Sequence, residues 1–77
     1  MTIDHFLDAS GLMCPLPLLR AKLILNKMAT GETLQVTATD AGSVKDFAEF
    51  TRLTGHHLLR SEQDGESFIY LIEKAAV

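Results

Sequence analysis

The segment 8–17, with the sequence DASGLMCPLP, contains the one sulfur nucleophile of the chain. Cys14 is the only cysteine among 77 residues; Pro15 follows it directly and Pro17 comes two positions later. Proline is favoured in the first turn of a helix because the first amide protons there have no acceptor within the helix. The two prolines therefore predict that a helix begins here, with Cys14 at or beside its N-cap.

A thiol at this position is expected to ionise more readily than a free cysteine. The unpaired amides and the helix dipole give a helix N-terminus a partial positive charge, which stabilises a thiolate and lowers its pKa. The alternative is that Cys14 is a small buried hydrophobic residue next to prolines that only begin a helix. From these residues alone, both a reactive and a structural cysteine remain open.

Length and composition indicate one small domain, spanning residues 1–77. The hydrophobic content of 47% is enough for a packed core. A single cysteine cannot form an internal disulfide, no apolar run is long enough to span a bilayer, and the N-terminus does not resemble a signal peptide. We therefore expect a cytoplasmic protein with no direct membrane association.

The hydrophobic periodicity predicts the element order β-α-β-α-β-β. Strands are predicted over 5–9, 33–39, 57–62 and 67–74, and helices over 15–29 and 44–54. Ser43 and Asp46 form a predicted capping pair for the second helix, and Asp64-Gly65 predicts a hairpin turn within 63–66. A helical crossover between the first two strands makes them parallel if they share a sheet. We expect an α/β (α+β) two-layer sandwich, with a mixed four-stranded sheet and both helices on one face.

The first helix has two apolar stripes, only one of which a small sheet can cover. Leu18, Ala21, Leu25 and Met28 are predicted to face the sheet. The second stripe consists of Leu16, Leu19 and Leu23, beside Arg20 and Lys27. It either packs on the second helix or stays partly exposed as a docking surface for a partner.

Charge is distributed unevenly along the chain. All ten acidic residues lie outside 12–31, which makes the first helix locally basic on a protein of net charge −3. A basic helix can attract an acidic protein or an anionic substrate, although an ordinary solvated helix face has the same composition.

The motif residues Asp8, Gly11, Cys14, Pro15 and Pro17 resemble those of the TusA/SirA family of small sulfur-carrier proteins. Further matches follow at Gly31-Glu32-Thr33-Leu34, Asp40, Gly55-His56 and Tyr70-Leu71-Ile72-Glu73-Lys74, so that the resemblance covers about 7–74. It implies the same two-layer fold, and it implies that Cys14 carries sulfur as a persulfide.

The resemblance also implies partners. The donor would be a cysteine desulfurase or another sulfurtransferase, and a downstream protein would accept the sulfur. The protein would act as a co-substrate of these partners rather than as a stand-alone enzyme. The destination of the sulfur stays open among tRNA thiolation, molybdenum cofactor maturation and sulfur oxidation. Met13 and Leu16 place apolar side chains next to the cysteine, where some relatives have charged residues.

Few other residues suggest chemistry. His56 and His57 are adjacent in a predicted strand and point to opposite faces, so we expect no metal site; no cofactor-binding motif is present either. His5 is interpreted as a surface histidine, with a role as base for Cys14 as the alternative. Asp8 is expected to accept hydrogen bonds from amides of the cysteine loop.

A second class of function also fits part of the sequence. Small two-layer α/β domains include RNA- and protein-binding regulatory modules without sulfur chemistry, and the basic first helix agrees with such a role. The negative net charge and the lack of aromatic residues interleaved with basic ones argue against direct nucleic-acid binding.

Overall fold

The computed structural model describes residues 3–76 and contains six elements of secondary structure. They are β1 (His5–Ala9), α1 (Leu16–Leu25), β2 (Thr33–Ala38), α2 (Ser43–Thr54), β3 (His57–Asp64) and β4 (Ser67–Glu73). The strands form one sheet in the order β1-β2-β4-β3. β1 runs parallel to β2, whereas β4 is antiparallel to both of its neighbours. The predicted element order and mixed sheet are confirmed.

Both helices pack on the same face of the sheet. Alternate residues of β2 point to this face, and Leu34 and Val36 are completely buried there. Ala21 and Leu25 of α1 and Phe47 of α2 belong to the same buried cluster. This confirms the two-layer arrangement and the sheet-facing role of the first stripe of α1.

The first helix is shorter than predicted, ending at Leu25 rather than at residue 29. The amides of Lys27 and Met28 donate to carbonyls only three residues earlier, at 3.0 and 3.1 Å. These bonds form a turn that is tighter than an α-helix, so the α-helix ends before them. Met28 nevertheless stays buried against the core. Neither helix in the described part of the chain has the length and apolar character needed to cross a bilayer.

The hairpin is also tighter than predicted. β3 continues to Asp64, which pairs with Ser67, so the turn consists of Gly65 and Glu66 alone. Gly65 has a φ of 61°, a conformation that glycine adopts without steric cost.

The chain after β4 is held in place at Ala75 by a buried side chain. The amide of Ala75 donates to Nδ1 of the buried His56 at 3.0 Å. Val77 lies outside the described residues.

The predicted capping pair of α2 is wrong. The N-cap is Gly42, and no side chain caps the helix. Ser43 lies inside the first turn, where its buried hydroxyl forms a 2.6 Å hydrogen bond with the Tyr70 hydroxyl of β4. The Tyr70 ring also stacks on Phe47, with ring centroids 4.5 Å apart. Tertiary contacts with β4 therefore fix the start of α2.

Removing one partner of the buried hydroxyl pair should destabilise the protein. In Tyr70→Phe the Ser43 hydroxyl stays buried without its partner, which costs about 1–3 kcal/mol. Urea unfolding of the wild type, both single variants and the Ser43→Ala/Tyr70→Phe double variant measures the effect. The double variant should lose less than the sum of the single losses, because neither polar group is left unpaired. Strictly additive losses would contradict a mutual hydrogen bond.

Candidate functional site: an exposed cysteine facing two carboxylates

Cys14 lies in the loop between β1 and α1, and its side chain is exposed. The N-cap of α1 is Pro15, so the cysteine lies one residue before the cap, and the Cys14–Pro15 peptide bond is cis. Two of the next three residues are prolines and have no amide proton. The third, Leu16, donates its amide to the Met13 carbonyl at 2.8 Å. None of these three residues offers an amide proton to the sulfur.

Short-range hydrogen bonds shape the loop before the cysteine. Asp8 accepts the Ser10 amide at 3.0 Å, and hydrogen bonding to the side chain and the amide of Ser10 holds the pKa of the Asp8 carboxyl below its usual range. Gly11 has a φ of 80° and donates its amide to the Thr39 hydroxyl at 2.9 Å. The turn that leads to Cys14 is therefore tied both to the end of β1 and to the segment after β2.

Asp40 connects the cysteine loop to the loop between β2 and α2. Its Oδ2 accepts the Cys14 amide at 2.6 Å, and its Oδ1 accepts the Gly42 amide at 3.4 Å. The parallel register pairs Ala9 with Ala38, so the two loops leave the sheet at the same edge.

The first turn of α2 lies directly against the sulfur. The thiol of Cys14 donates a hydrogen bond to Oδ2 of Asp46. A Cβ atom at Gly42 would lie 3.3 Å from Cys14 Cβ and 3.5 Å from Sγ. The φ of Gly42 is −62°, which any residue adopts, so a side chain at this position is limited by the close contact with Cys14 Cβ and not by the backbone conformation. Helix α2 thus provides a hydrogen-bond acceptor for the thiol, and its first turn lies close to the cysteine side chain.

The predicted lowering of the Cys14 pKa is wrong. The hydrogen bond to Asp46 raises the pKa of the thiol, and desolvation and the negative charges of Asp46 and Asp40 raise it further. A thiol that donates to a carboxylate is stabilised in its protonated form, and a nearby negative charge disfavours the thiolate. The two acidic side chains therefore outweigh the dipole of α1.

The second stripe of α1 does not pack on α2. Leu16, Leu19 and Leu23 are 44%, 46% and 65% exposed, and Met13 beside the cysteine is 75% exposed. Arg20 and Lys27 are exposed as well, although Lys27 lies beyond the end of the helix. Of the two alternatives for this stripe, the structure agrees with an exposed surface.

A groove of about 350 Å³ separates the two helices. Leu18 and Lys22 line it from α1, and Lys22 Nζ lies 5.4 Å from the centre of the Phe50 ring. On the α2 side it is lined by Asp46, Glu49, Phe50, Leu53 and Thr54. Asp46 thus contacts the sulfur and also lines this groove.

The histidines have partners away from the cysteine. His5 Nε2 lies 3.2 Å from Glu32 Oε1, and His57 Nδ1 lies 2.8 Å from Glu73 Oε1. His56 is buried, and desolvation lowers its pKa, which agrees with a neutral ring that accepts the Ala75 amide. Within 3–76, no three His, Cys, Asp or Glu side chains are grouped so that they could hold a metal ion.

The reasoning from sequence missed part of the site. From the sequence, Asp46 is interpreted as a capping residue and Asp40 as a family match, and neither is linked to the thiol. No local pattern marks them, because their importance depends on how close the second loop comes to Cys14. The one available signal was the predicted parallel pairing of the first two strands, which brings their following loops together.

The fold and the site define a class: a small two-layer α/β protein that presents one cysteine thiol where another protein can reach it. The family model described as Sulfurtransferase TusA matches residues 5–74. The chain belongs to this family, as the motif resemblance predicted.

Individual relatives agree with this assignment. The sulfur carrier protein TusA of Allochromatium vinosum is 56% identical over 72 residues, covering 94% of this chain and 95% of the relative. A putative sulfur carrier protein of Neisseria meningitidis is 58% identical over 60 residues, covering 77% and 81%. The crystal structure of a SirA-like protein from Desulfitobacterium hafniense superimposes with a TM-score of 0.82, at 23% identity, covering 95% of this chain and all of that one, and it supports the fold. This chain is a sulfur carrier, a role that requires a sulfur donor and a sulfur acceptor.

The raised pKa of Cys14 predicts slow alkylation of the free protein at neutral pH. Reaction with iodoacetamide should show an inflection above about pH 8.5, the value for a free cysteine. Rates measured across the pH range, with N-acetylcysteine amide as an uncharged reference thiol and Cys14→Ser as the blank, give the comparison. An inflection at or below that of the reference would show that the carboxylates do not control the thiol.

Proposed function

We propose that Cys14 is the residue on which this protein carries sulfur, as a persulfide. The observation that carries the proposal is that the only cysteine of a TusA-family chain is exposed at a structured loop. The Cys14 thiolate attacks the terminal sulfur of a donor persulfide, a new S–S bond forms on Cys14, and the donor S–S bond breaks. The donor leaves as a thiolate and takes up a proton, so sulfur is moved without any oxidant or reductant.

The loop residues support this task by holding the cysteine in place. Asp8 and Gly11 stabilise the turn before it through the bonds to Ser10 and Thr39. Pro15 and Pro17 begin α1 directly after it, and Pro17 is buried. The thiol is thus presented from a defined loop, and the transfer needs no cofactor because both reacting sulfurs belong to proteins.

The family and its relatives support proteins as partners. The donor in this proposal is a cysteine desulfurase or another sulfurtransferase, and the acceptor is a downstream protein in tRNA thiolation, molybdenum cofactor maturation or sulfur oxidation. With such partners, the proposed location of the carrier is the cytoplasm. The two sequence relatives reported above are named as a sulfur carrier protein and a putative sulfur carrier protein, and they give no support to a regulatory module without sulfur chemistry.

Loading with sulfane sulfur should depend wholly on Cys14. After incubation with a cysteine desulfurase and cysteine, the intact mass of the wild type should increase by one sulfur atom, and dithiothreitol should reverse the increase. Cys14→Ser serves as the matched control, because it changes one atom at an exposed position. A mass increase that persists in Cys14→Ser would reject the proposal.

The exposed stripe of Leu16, Leu19 and Leu23, with Arg20 and Lys27, is proposed as part of the docking surface for a donor or acceptor. Leu16 and Leu19 lie in the first turns of α1, next to the cysteine loop, so a partner that reaches the sulfur passes over them. Exposed apolar side chains flanked by basic ones suit a transient interface with an acidic rim.

Leu19→Glu tests this surface. Because Leu19 is only half-buried, the free energy of unfolding should change by no more than about 0.5 kcal/mol, while transfer from the donor should slow at least several-fold. Leu59→Glu is a matched control, since Leu59 is 45% exposed but lies on the edge strand β3. Equal transfer rates for the two variants, or a large loss of stability in Leu19→Glu with normal transfer per folded molecule, would remove the docking role.

A further inference from the structure

Two carboxylates face Cys14, and they contact different parts of it. Asp40 accepts the backbone amide, whereas Asp46 accepts the thiol proton itself. The hydrogen bond to Asp40 positions the loop, and it would form with any residue at position 14 that has a backbone amide proton. The Asp46 bond forms only with a side chain that can donate a proton, and it is lost when the thiol ionises.

Several contacts of α2 fix the position of the Asp46 carboxylate beside the Cys14 sulfur. Asp46 lies in the first turn of α2, which the Ser43–Tyr70 hydrogen bond and the Phe47–Tyr70 ring stacking anchor to β4. Gly42 brings this turn within van der Waals distance of the cysteine. The proximity of carboxylate and thiol therefore follows from buried contacts.

The Asp46 carboxylate has no ion-pair partner among residues 3–76. Glu49 from the next turn of α2 and Lys22 from α1 line the same groove as Asp46. Asp40 from the β2–α2 loop acts on the same thiol, and the charges of both aspartates also act on the Tyr70 hydroxyl of β4. Lys22 has its ammonium over the Phe50 ring.

We propose that Asp46 is a positioning residue that holds Cys14 as a protonated thiol in the free carrier, so that sulfur transfer requires a partner whose basic side chain pairs with Asp46. The proposal rests on the proposed role of Cys14 as sulfur acceptor. In this proposal, Asp46 determines when Cys14 becomes reactive.

The chemical step follows from this arrangement. When a basic side chain of the partner binds the Asp46 carboxylate, the thiol loses its hydrogen-bond acceptor and the negative charge that opposed ionisation. The thiol proton passes to solvent, and the thiolate attacks the terminal sulfur of the donor persulfide. The donor S–S bond breaks as the Cys14 S–S bond forms, and the departing donor thiolate takes a proton from solvent. In the free carrier the same thiol reacts slowly with small electrophiles, because Asp46 remains in place.

The first test uses the free protein and needs no sulfur donor. Asp46→Asn keeps the size of the side chain but removes its charge, so the inflection of iodoacetamide alkylation against pH should move to lower pH. At pH 7 the rate should rise several-fold, because a lower pKa of the thiol increases the fraction present as thiolate. Glu49→Gln is the matched control, because it removes one negative charge from the same helix and groove without touching the sulfur. Asp46→Ala removes the acceptor altogether and should shift the profile in the same direction.

A fall in the alkylation rate in Asp46→Asn would overturn the proposal and indicate that Asp46 acts as a base for the thiol. An unchanged inflection in both Asp46 variants, or an equal shift in Glu49→Gln, would also overturn it. Circular dichroism of each variant confirms that the comparison is made between folded proteins.

The second test asks whether a partner relieves the effect. Single-turnover transfer from a cysteine desulfurase loaded with cysteine should be no faster for Asp46→Asn than for the wild type at pH 7, because the partner already neutralises the carboxylate. An acceleration as large as that in alkylation would show that the partner leaves Asp46 in place, and would reject this part of the proposal. If the desulfurase fails to load even the wild type, the persulfide role fails, while the alkylation profile still reports on Asp46.

Discussion

The hydrogen bond from the Cys14 amide to Asp40 joins two loops that are 26 residues apart in sequence, and the arrangement of the site depends on it. It is possible because β1 and β2 are parallel neighbours, so the loops that follow them leave the sheet at the same edge. Without this bond the cysteine loop would be held mainly by its own turn and by the Gly11–Thr39 contact. With it, the Cys14 sulfur lies against the first turn of α2. Residues of α2 therefore contribute to the surroundings of a thiol that precedes α1.

This proximity reverses the electrostatic environment that the start of α1 alone would provide. The dipole of a helix amounts to about half a unit charge at its N-terminus, and it acts on a neighbouring group mainly through free amide protons. The two prolines remove two such protons and Met13 takes up a third. A full carboxylate charge in direct contact with the thiol is stronger than the remaining dipole. The same proline motif that begins the helix thus weakens the activation that its position suggests.

The features that depend on residues close in sequence could be predicted from the sequence. The features that depend on contacts between residues far apart in sequence could not. Alternation in β2 and the heptad-like spacing of Ala21, Leu25 and Met28 reflect burial on one face, so the strands, the sheet-facing stripe and the layer arrangement followed from pattern alone. Ser43 has the composition of an N-cap, but the Tyr70 hydroxyl 27 residues away binds it instead. Asp46 likewise looks like a capping acid, and only the folded loop shows that its carboxylate reaches Cys14. Cys14 was identifiable because its motif is contiguous in the chain.

The lack of a side chain at Gly42 also affects the space available to a carried sulfur. A persulfide adds a second sulfur about 2.05 Å from Sγ. A Cβ atom at position 42 would lie 3.5 Å from Sγ, so any larger residue there would occupy space directly beside the thiol. Glycine leaves that space free, while the exposed side of the cysteine stays open to a partner.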